Sequence, residues 1–294
     1  MSKKAIIDLG SNTFHLLIAQ STASGDWEIL LKKRTYVFLA EKGTHHIYPE
    51  AWSRAMDCLQ DFRHLILQHE VEDIVALGTA ALRAADNSEE FTKQVYSDFR
   101  IPIRVISGND EAKLIAKGVM SALNGHLSEY LIMDIGGGSV EFVLVEDHQA
   151  VWEQSFPIGL SELKRQDFYN DPFDHDTLFL YHQFLDEQLH DLTELLDGMT
   201  NIPLVGASGT FDAVLSILPH QEMHHFAESS VSAFKALFEQ IKLMPLAERL
   251  NHPDIPNKRA PLYNLALLLV FHVLERYPID ALFISHFGMK EGAL

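Results

Sequence analysis

The sequence IIDLGSNTFHLLI, residues 6–18, places an aspartate inside an apolar run and follows it at once with a glycine-containing turn. Residues 132–144, IMDIGGGSVEFVL, repeat the arrangement. Each copy predicts a strand that ends in a buried carboxylate, then a tight turn, then a second strand. Asp8 and Asp134 are 126 residues apart, which is about the length of one small domain. The repeat therefore predicts two half-sites that face each other.

The pattern around each copy predicts the same order of elements. Up to residue 125, alternating and helical periods predict β-β-β-α-β-α-β-α. A similar meander restarts near residue 130 and leads through helices across 160–197, the strand IPLVGA and a helix from Thr210. The rest is predicted helical up to Tyr277, followed by a short strand and a final helix. We expect an α/β protein with a duplicated fold, whose lobes comprise 1–125 and 126–294 on either side of a cleft.

Charge, apolar runs and cysteine content narrow the class of protein. The 294 residues include 23 Lys and Arg against 41 Asp and Glu, for a formal net charge of −18. Such a surface repels polyanions at long range, so we expect no nucleic-acid partner. The apolar run at 265–274 is too short to span a bilayer, which argues against a membrane partner. The single Cys58 suits a reducing compartment, and we expect a cytoplasmic protein.

A third glycine-containing stretch is LVGASGTFDAV at 204–214. It predicts a strand that runs through Gly206 into a turn of Ser208, Gly209 and Thr210, where a helix begins. The N–H groups at a helix N-terminus are natural contacts for an anion or a nucleotide. Many crossings from a strand to a helix carry similar caps, so this stretch alone is a weak indication.

Several stretches together resemble the exopolyphosphatase and guanosine-pentaphosphate phosphatase (Ppx/GppA) family, within the superfamily of actin, sugar kinases and chaperone ATPases. They are DLGSNTFHLLI at 8–18, GTAALRAADN at 78–87, VISGNDEAKLIAKGV at 105–119, DIGGGSVEFVLVE at 134–146, FPIGLSEL at 156–163 and ISHFGMKEGAL at 284–294. The resemblance covers nearly the whole chain in order. It implies a duplicated actin-like (ribonuclease H-like) ATPase fold.

The resemblance also implies roles for individual residues. Glu111 corresponds to the general base, and Arg83 to the arginine that contacts the terminal phosphate. Asp8 and Asp134 correspond to aspartates that help to bind Mg²⁺ and phosphates, and Glu141 to a metal-binding or water-positioning group. The substrate-binding turns correspond to Ser11, Asn12, Gly136, Gly137, Gly138 and Ser139, and in the third stretch to Gly206, Ser208, Gly209 and Thr210. Hydrolysis of a phosphoanhydride requires these parts, namely a positioned water and neutralised phosphate oxygens.

Each of these residues also has a structural interpretation. Glu111 fits a first-turn acid that interacts with a helix dipole, Arg83 fits a surface helix, and Glu141 fits an outward-facing strand residue. The motif match favours function for Glu111 and Arg83. Ser208 stands where the family has glycine, which leaves a contact to a base or ribose there open.

The leading interpretation is a Mg²⁺-dependent hydrolase that releases the terminal phosphate of inorganic polyphosphate. The first alternative is removal of the 5′ γ-phosphate of guanosine pentaphosphate. A kinase or ATPase of the superfamily and a silent alarmone sensor are alternatives of another class. The GASGT stretch and a water-activating Glu111 argue against a kinase, and intact Glu111 and Arg83 argue against a sensor.

The resemblance also implies a homodimer. Because basic residues are dispersed along the chain, with KKR at 32–34 the only run of three, we expect short substrates to be preferred over long polyphosphate chains.

Overall fold

Two β-sheets organise the computed structural model, which describes residues 2–23 and 25–294. The first sheet has the order β3-β2-β1-β4-β5. Its strands are β1 Lys3–Leu9, β2 Thr13–Ser21, β3 Trp27–Tyr36, β4 Asp73–Gly78 and β5 Ile103–Val105. The second sheet has the order β10-β11-β12-β9-β6-β7-β8. Its strands are β6 Tyr130–Ile135, β7 Val140–Glu146, β8 Gln149–Phe156, β9 Ile202–Ala207, β10 His220–Glu222, β11 Phe226–Ser229 and β12 Ile279–Ser285.

Helices connect and cover the two sheets. The part of the chain that forms the first sheet also contains the helices α1 Pro49–Gln68, α2 Ala80–Ala84, α3 Ser88–Phe99 and α4 Gly108–Leu123. The part that forms the second sheet contains the helices α5 Leu160–Lys164, α6 His175–Gln188, α7 His190–Leu195, α8 Ser208–Leu215, α9 Val231–Ile241, α10 Leu246–Asn251, α11 Ala260–Arg276 and α12 Met289–Gly292. The start of α4 is fixed by its N-cap, because the Ser107 hydroxyl accepts a hydrogen bond from the backbone N–H of Asp110 (3.1 Å). No helix in 2–23 or 25–294 is both long and apolar enough to cross a membrane.

The duplicated α/β meander is confirmed. In the first sheet, β1 pairs with β2 in antiparallel fashion and with β4 in parallel fashion. In the second sheet, β6 pairs in the same way with β7 and β9. Asp8 and Asp134 therefore occupy corresponding positions near the carboxyl ends of β1 and β6. Each aspartate has an ionisable residue opposite it on the antiparallel neighbouring strand. His15 of β2 is opposite Asp8, and Glu141 of β7 is opposite Asp134.

The helix α4 and the terminal helix α12 form the packing between the two sheets. Buried residues of α4 share one apolar cluster with Leu77 of the first sheet and Val143 of the second. The two helices approach so closely that a Cβ added to Gly118 would lie 2.1 Å from the Gly288 carbonyl oxygen. Because α4 packs on both sheets, residues on either side of position 125 share an apolar cluster. The division into 1–125 and 126–294 stays a prediction.

The structure differs from the sequence-based expectation at one hairpin and at the start of one helix. The hairpin of β10 and β11 was not predicted, because the exposed β10 consists of His220, Gln221 and Glu222 and shows no apolar alternation. In addition, α8 begins at Ser208 rather than Thr210. The helical stretch 160–197 is divided among three helices.

Candidate active site

A cavity of about 100 Å³ lies between the two sheets, at the carboxyl ends of β1, β6 and β9. The three glycine-containing turns border it from different sides. The candidate site residues that line it are Asp8, Ser11, Asn12, Glu111, Asp134, Gly136, Gly137, Gly138, Ser139, Glu141, Ser208, Gly209 and Thr210. The two predicted half-sites therefore share one cavity.

Four carboxylates meet in this cavity, those of Asp8, Glu111, Asp134 and Glu141. Burial, followed by the charge of Glu141, raises the pKa of Asp134 to about 8. The same two causes raise the pKa of Glu111 well above its ordinary range, although Arg83 opposes them. Carboxylates that are costly to ionise together favour a proton or a bound cation among them.

Glu141 is the most buried of the four, with 2% of its surface exposed. Its interpretation as an outward-facing strand residue is therefore wrong. The Ser155 hydroxyl donates a hydrogen bond to its carboxylate (2.7 Å). Burial raises the pKa of Glu141, and hydrogen bonds from Ser139 and Ser155 oppose this increase.

The donor set fits a hard divalent cation. Within residues 2–23 and 25–294, no three His, Cys, Asp or Glu side chains are placed to hold a metal ion by themselves. Mg²⁺ rarely needs such a cage, because it usually keeps several waters and takes one or two carboxylates together with substrate phosphates. Asp8 and Asp134 provide two such carboxylates, and a cation would offset the excess negative charge. A magnesium site here stays a prediction.

The first two turns pack directly against each other. A Cβ added to Gly137 would lie 2.6 Å from the Asn12 side-chain nitrogen, and one added to Gly138 would lie 2.8 Å from the Ala80 Cβ. Glycine, which has no Cβ, permits this close approach of the two turns. The Ser11 hydroxyl is buried there without a hydrogen-bond partner. It is therefore free to donate to a ligand in the cavity.

In the third turn, Ser208 has a backbone φ of 68°, in the left-handed region that favours glycine. Its hydroxyl donates a hydrogen bond to Asp134. Thr210 fixes the turn further, because its hydroxyl donates to the Ile135 carbonyl oxygen (2.9 Å). Gly206 has a different environment, since a Cβ there would lie 2.1 Å from the Phe211 ring. It allows a side chain to pack under the strand and is not among the residues that line the cavity.

Glu111 reaches the cavity from the first turn of α4, and 12% of its side chain is exposed. Arg83 lies at the end of α2, in an adjoining cleft that shares Ala80, Gly138 and Ser139 with the cavity. Its guanidinium donates to the Glu111 carboxylate (3.2 Å) and to the Ile106 carbonyl oxygen (2.9 Å). The structure therefore places Arg83 against the candidate base, which it helps to keep ionised.

The chain is similar in sequence to a known phosphatase family over most of its length. A model of the Ppx/GppA phosphatase family matches residues 17–294. The chain belongs to this family. A crystal structure of an exopolyphosphatase from Cytophaga hutchinsonii superposes with a TM-score of 0.92 and 32% identity, and the match covers 99% of this chain and 96% of that one. A Ppx/GppA family member from Aquifex aeolicus superposes with a TM-score of 0.82 and 25% identity, covering 99% and 96%.

Two curated relatives carry different names. A guanosine-5′-triphosphate,3′-diphosphate pyrophosphatase from Vibrio cholerae is 31% identical over 98% of this chain, and a putative exopolyphosphatase from Haemophilus influenzae is 27% identical over 99%. The matched region is 58% of the Vibrio protein and 90% of the Haemophilus protein. This Ppx/GppA chain thus spans little more than half the length of its Vibrio relative.

The cavity of this Ppx/GppA protein also contains residues that the sequence did not single out. His15 and Arg259 both line it. The His15 ring nitrogen Nδ1 lies 3.1 Å from the Asp8 carboxylate, and burial lowers the pKa of His15 while that contact opposes the decrease. The signal for His15 was available, because hairpin geometry places it opposite Asp8. Arg259 carried no such signal, since it comes from a distant loop before α11.

Proposed function

We propose that the protein is a phosphoanhydride hydrolase that releases the terminal phosphate of inorganic polyphosphate. The observation that carries the proposal is the position of Glu111, which is paired with Arg83 and shares the cavity between the two sheets with three further carboxylates. The match to the Cytophaga exopolyphosphatase over nearly both full chains supports the choice of substrate class.

In the proposed reaction Glu111 accepts a proton from the attacking water. The oxygen of this water forms a bond to the terminal phosphorus, and the bond from this phosphorus to the bridging oxygen breaks. The electron pair of the broken bond stays with the shortened chain, so the products are orthophosphate and a chain one phosphate shorter. The unpartnered Ser11 hydroxyl is a donor for a phosphate oxygen. Mg²⁺ bound with Asp8 and Asp134 would neutralise phosphate charge.

A second candidate reaction is removal of the 5′ γ-phosphate from guanosine pentaphosphate. The observation that favours it is the 31% identity to the Vibrio pyrophosphatase, which is named for that nucleotide. Both substrates end in the same phosphoanhydride, so the described carboxylates suit either. The difference must come from contacts beyond the cleaved bond.

The test is to measure orthophosphate released by the purified chain from each substrate, with and without Mg²⁺. We expect release that requires the divalent cation and is faster from polyphosphate. Release from guanosine pentaphosphate alone would replace the first candidate with the second, and release from neither would defeat the proposal.

We also propose a cytoplasmic location, with which the single buried Cys58 is consistent, because a free thiol suits a reducing compartment. The same family resemblance leads us to propose a homodimer. Sedimentation of the purified chain at several concentrations tests the dimer, which a constant monomer mass would contradict.

A further inference from the structure

The hydroxyl of Ser208 borders the catalytic cavity and donates a hydrogen bond to Asp134. In the part of the chain that the structure describes, this is the single hydrogen bond of the hydroxyl, so the lone pairs of its oxygen are unused. An oxygen whose proton points to a carboxylate can still bind a cation through those lone pairs. Ser208 therefore adds a hard oxygen to the carboxylates of Asp8 and Asp134.

The backbone of Ser208 is held in an unfavourable conformation by contacts of its neighbours. Its φ of 68° lies in the left-handed region. On one side, Ala207 pairs with Asp134 in the register of β9 and β6. On the other side, the Thr210 hydroxyl donates to the Ile135 carbonyl oxygen (2.9 Å). Strain that the surroundings impose in this way concentrates at functional sites, which favours a functional role for the Ser208 side chain.

The partners available within the cavity indicate that a ligand completes it. The Ser11 hydroxyl lines the cavity and has no hydrogen-bond partner, although Ser11 is only 4% exposed. A buried hydroxyl of this kind is costly unless a ligand satisfies it. Four carboxylates share the same space and repel one another. An unpartnered donor beside an excess of carboxylates favours a phosphate that binds together with its cation.

The pair of Ser208 and Asp134 offers the groups that other phosphate-transferring enzymes use to hold Mg²⁺. In P-loop enzymes a serine or threonine hydroxyl and an aspartate hold the ion beside the substrate phosphates. Ser208 is the first residue of α8, and Asp134 lies near the end of β6. We infer that the Ser208 hydroxyl is a direct ligand of the Mg²⁺ that the reaction uses. The inference rests on the proposed magnesium-dependent hydrolysis.

A hydroxyl that only orients Asp134 would form the same hydrogen bond without touching the cation. The two roles differ when sulfur replaces the oxygen. A thiolate favours soft ions such as Cd²⁺ over hard ions such as Mn²⁺, but only where the sulfur contacts the ion. Ser208→Cys therefore changes the preference of the site between these ions if Ser208 is a ligand, and leaves the preference unchanged if it only orients Asp134.

The experiment measures binding of Mn²⁺ alone and of Cd²⁺ alone to the wild-type chain, Ser208→Ala and Ser208→Cys. Electron paramagnetic resonance follows free Mn²⁺, whereas calorimetry and the ultraviolet absorbance of a cadmium–thiolate bond follow Cd²⁺. Circular dichroism confirms that each variant is folded.

The matched controls are Ser155→Ala and Ser155→Cys. The Ser155 hydroxyl also donates to a cavity carboxylate, that of Glu141 (2.7 Å), but Ser155 lines the adjoining cleft instead. The buried Cys58 is present in every protein, so its thiol contributes equally to all titrations.

We expect Ser208→Ala to raise the Kd for Mn²⁺ about tenfold. Ser208→Cys should lower the ratio of the Cd²⁺ Kd to the Mn²⁺ Kd by about tenfold and produce the thiolate absorbance, whereas Ser155→Cys should change this ratio less than about twofold.

The inference would be overturned by an unchanged ratio in Ser208→Cys, by an equal shift in Ser155→Cys, or by a Kd for Mn²⁺ that Ser208→Ala does not alter. Absence of Mn²⁺ binding to the wild-type chain would overturn it as well. If Ser208 binds the ion but the chain releases orthophosphate from neither substrate, the proposed function fails and the assignment of the ligand stands.

Discussion

Ser208 combines an unfavourable backbone conformation with a hydrogen bond to a buried carboxylate, and substitution separates the two effects. Its φ of 68° costs a non-glycine residue about 1–2 kcal/mol. Its hydroxyl donates to Asp134, and leaving such a buried group without its partner costs about 1–3 kcal/mol. Ser208→Ala removes the hydrogen bond and keeps the backbone strain, so we expect it to destabilise the fold by about 1–3 kcal/mol.

Ser208→Gly also removes the hydrogen bond but relieves the strain. Glycine gains about 0.4–1 kcal/mol of conformational freedom in the unfolded chain, which offsets part of the relief. We therefore expect Ser208→Gly to be more stable than Ser208→Ala by about 0.5–1 kcal/mol. The order is the reverse of the usual one in a helix, where alanine is favoured over glycine.

The assay is urea unfolding followed by circular dichroism in metal-free buffer. Ser216 at the end of α8 provides the control, because its φ of −60° is ordinary for a helix. There alanine should be the more stable replacement. An alanine variant at 208 that is more stable than the glycine variant would refute the argument, since it would mean that the turn imposes no strain on a side chain.

Three further predictions concern the cavity and its surroundings. Arg83→Gln should raise the pKa of Glu111. The acidic limb of the pH profile of kcat should therefore move to higher pH, and activity should recover in alkaline buffer. An unchanged acidic limb would contradict the pairing of Arg83 with Glu111. The pKa of Asp134 is raised from 3.8 to about 8, so the folded state retains a proton that the unfolded state releases, and metal-free stability should fall as pH rises from about 4 to 8. Thermal melts should show this slope weakened in Asp134→Asn, and Mg²⁺ should raise the Tm more at pH 8 than at pH 5; an equal slope in both proteins would exclude Asp134 as its source. Gly206→Ala should destabilise the fold by about 1–3 kcal/mol through the Phe211 ring while leaving KM unchanged, and a raised KM without loss of stability would restore Gly206 to the binding site.

The sequence predicted those parts of the fold and the site that depend on residues close together in the chain. The two aspartate turns and their strands depend on neighbouring residues, so their repeat predicted both the duplicated fold and the shared cavity. Glu111 was recognisable only through a motif, because a first-turn glutamate is common in helices. The exposed hairpin β10–β11 has no alternation of apolar residues and was missed.

Contacts between the parts of the chain that form the two sheets could not be derived from local patterns. Arg34 and Lys258, which are far apart in the sequence, both lie near the Tyr36 ring. Arg83 donates to the Glu111 carboxylate from the adjoining cleft, a contact that the motif did not indicate, and its contact with a phosphate stays a prediction. The strain at Ser208 likewise depends on a backbone angle that residue identity alone does not reveal.

The central claim is that Glu111 accepts the proton of the attacking water in the cavity between the two sheets. Asp110 provides a matched control, because this adjacent acid is exposed and accepts a hydrogen bond from the Ser107 hydroxyl (2.8 Å) outside the cavity. The measurement is the single-turnover rate of phosphate release from polyphosphate by Glu111→Gln and Asp110→Asn, with the Kd measured alongside. We predict a loss of roughly 10²–10⁴-fold for Glu111→Gln at little-changed Kd, and near-normal turnover for Asp110→Asn. Retention of most activity in Glu111→Gln would contradict the account.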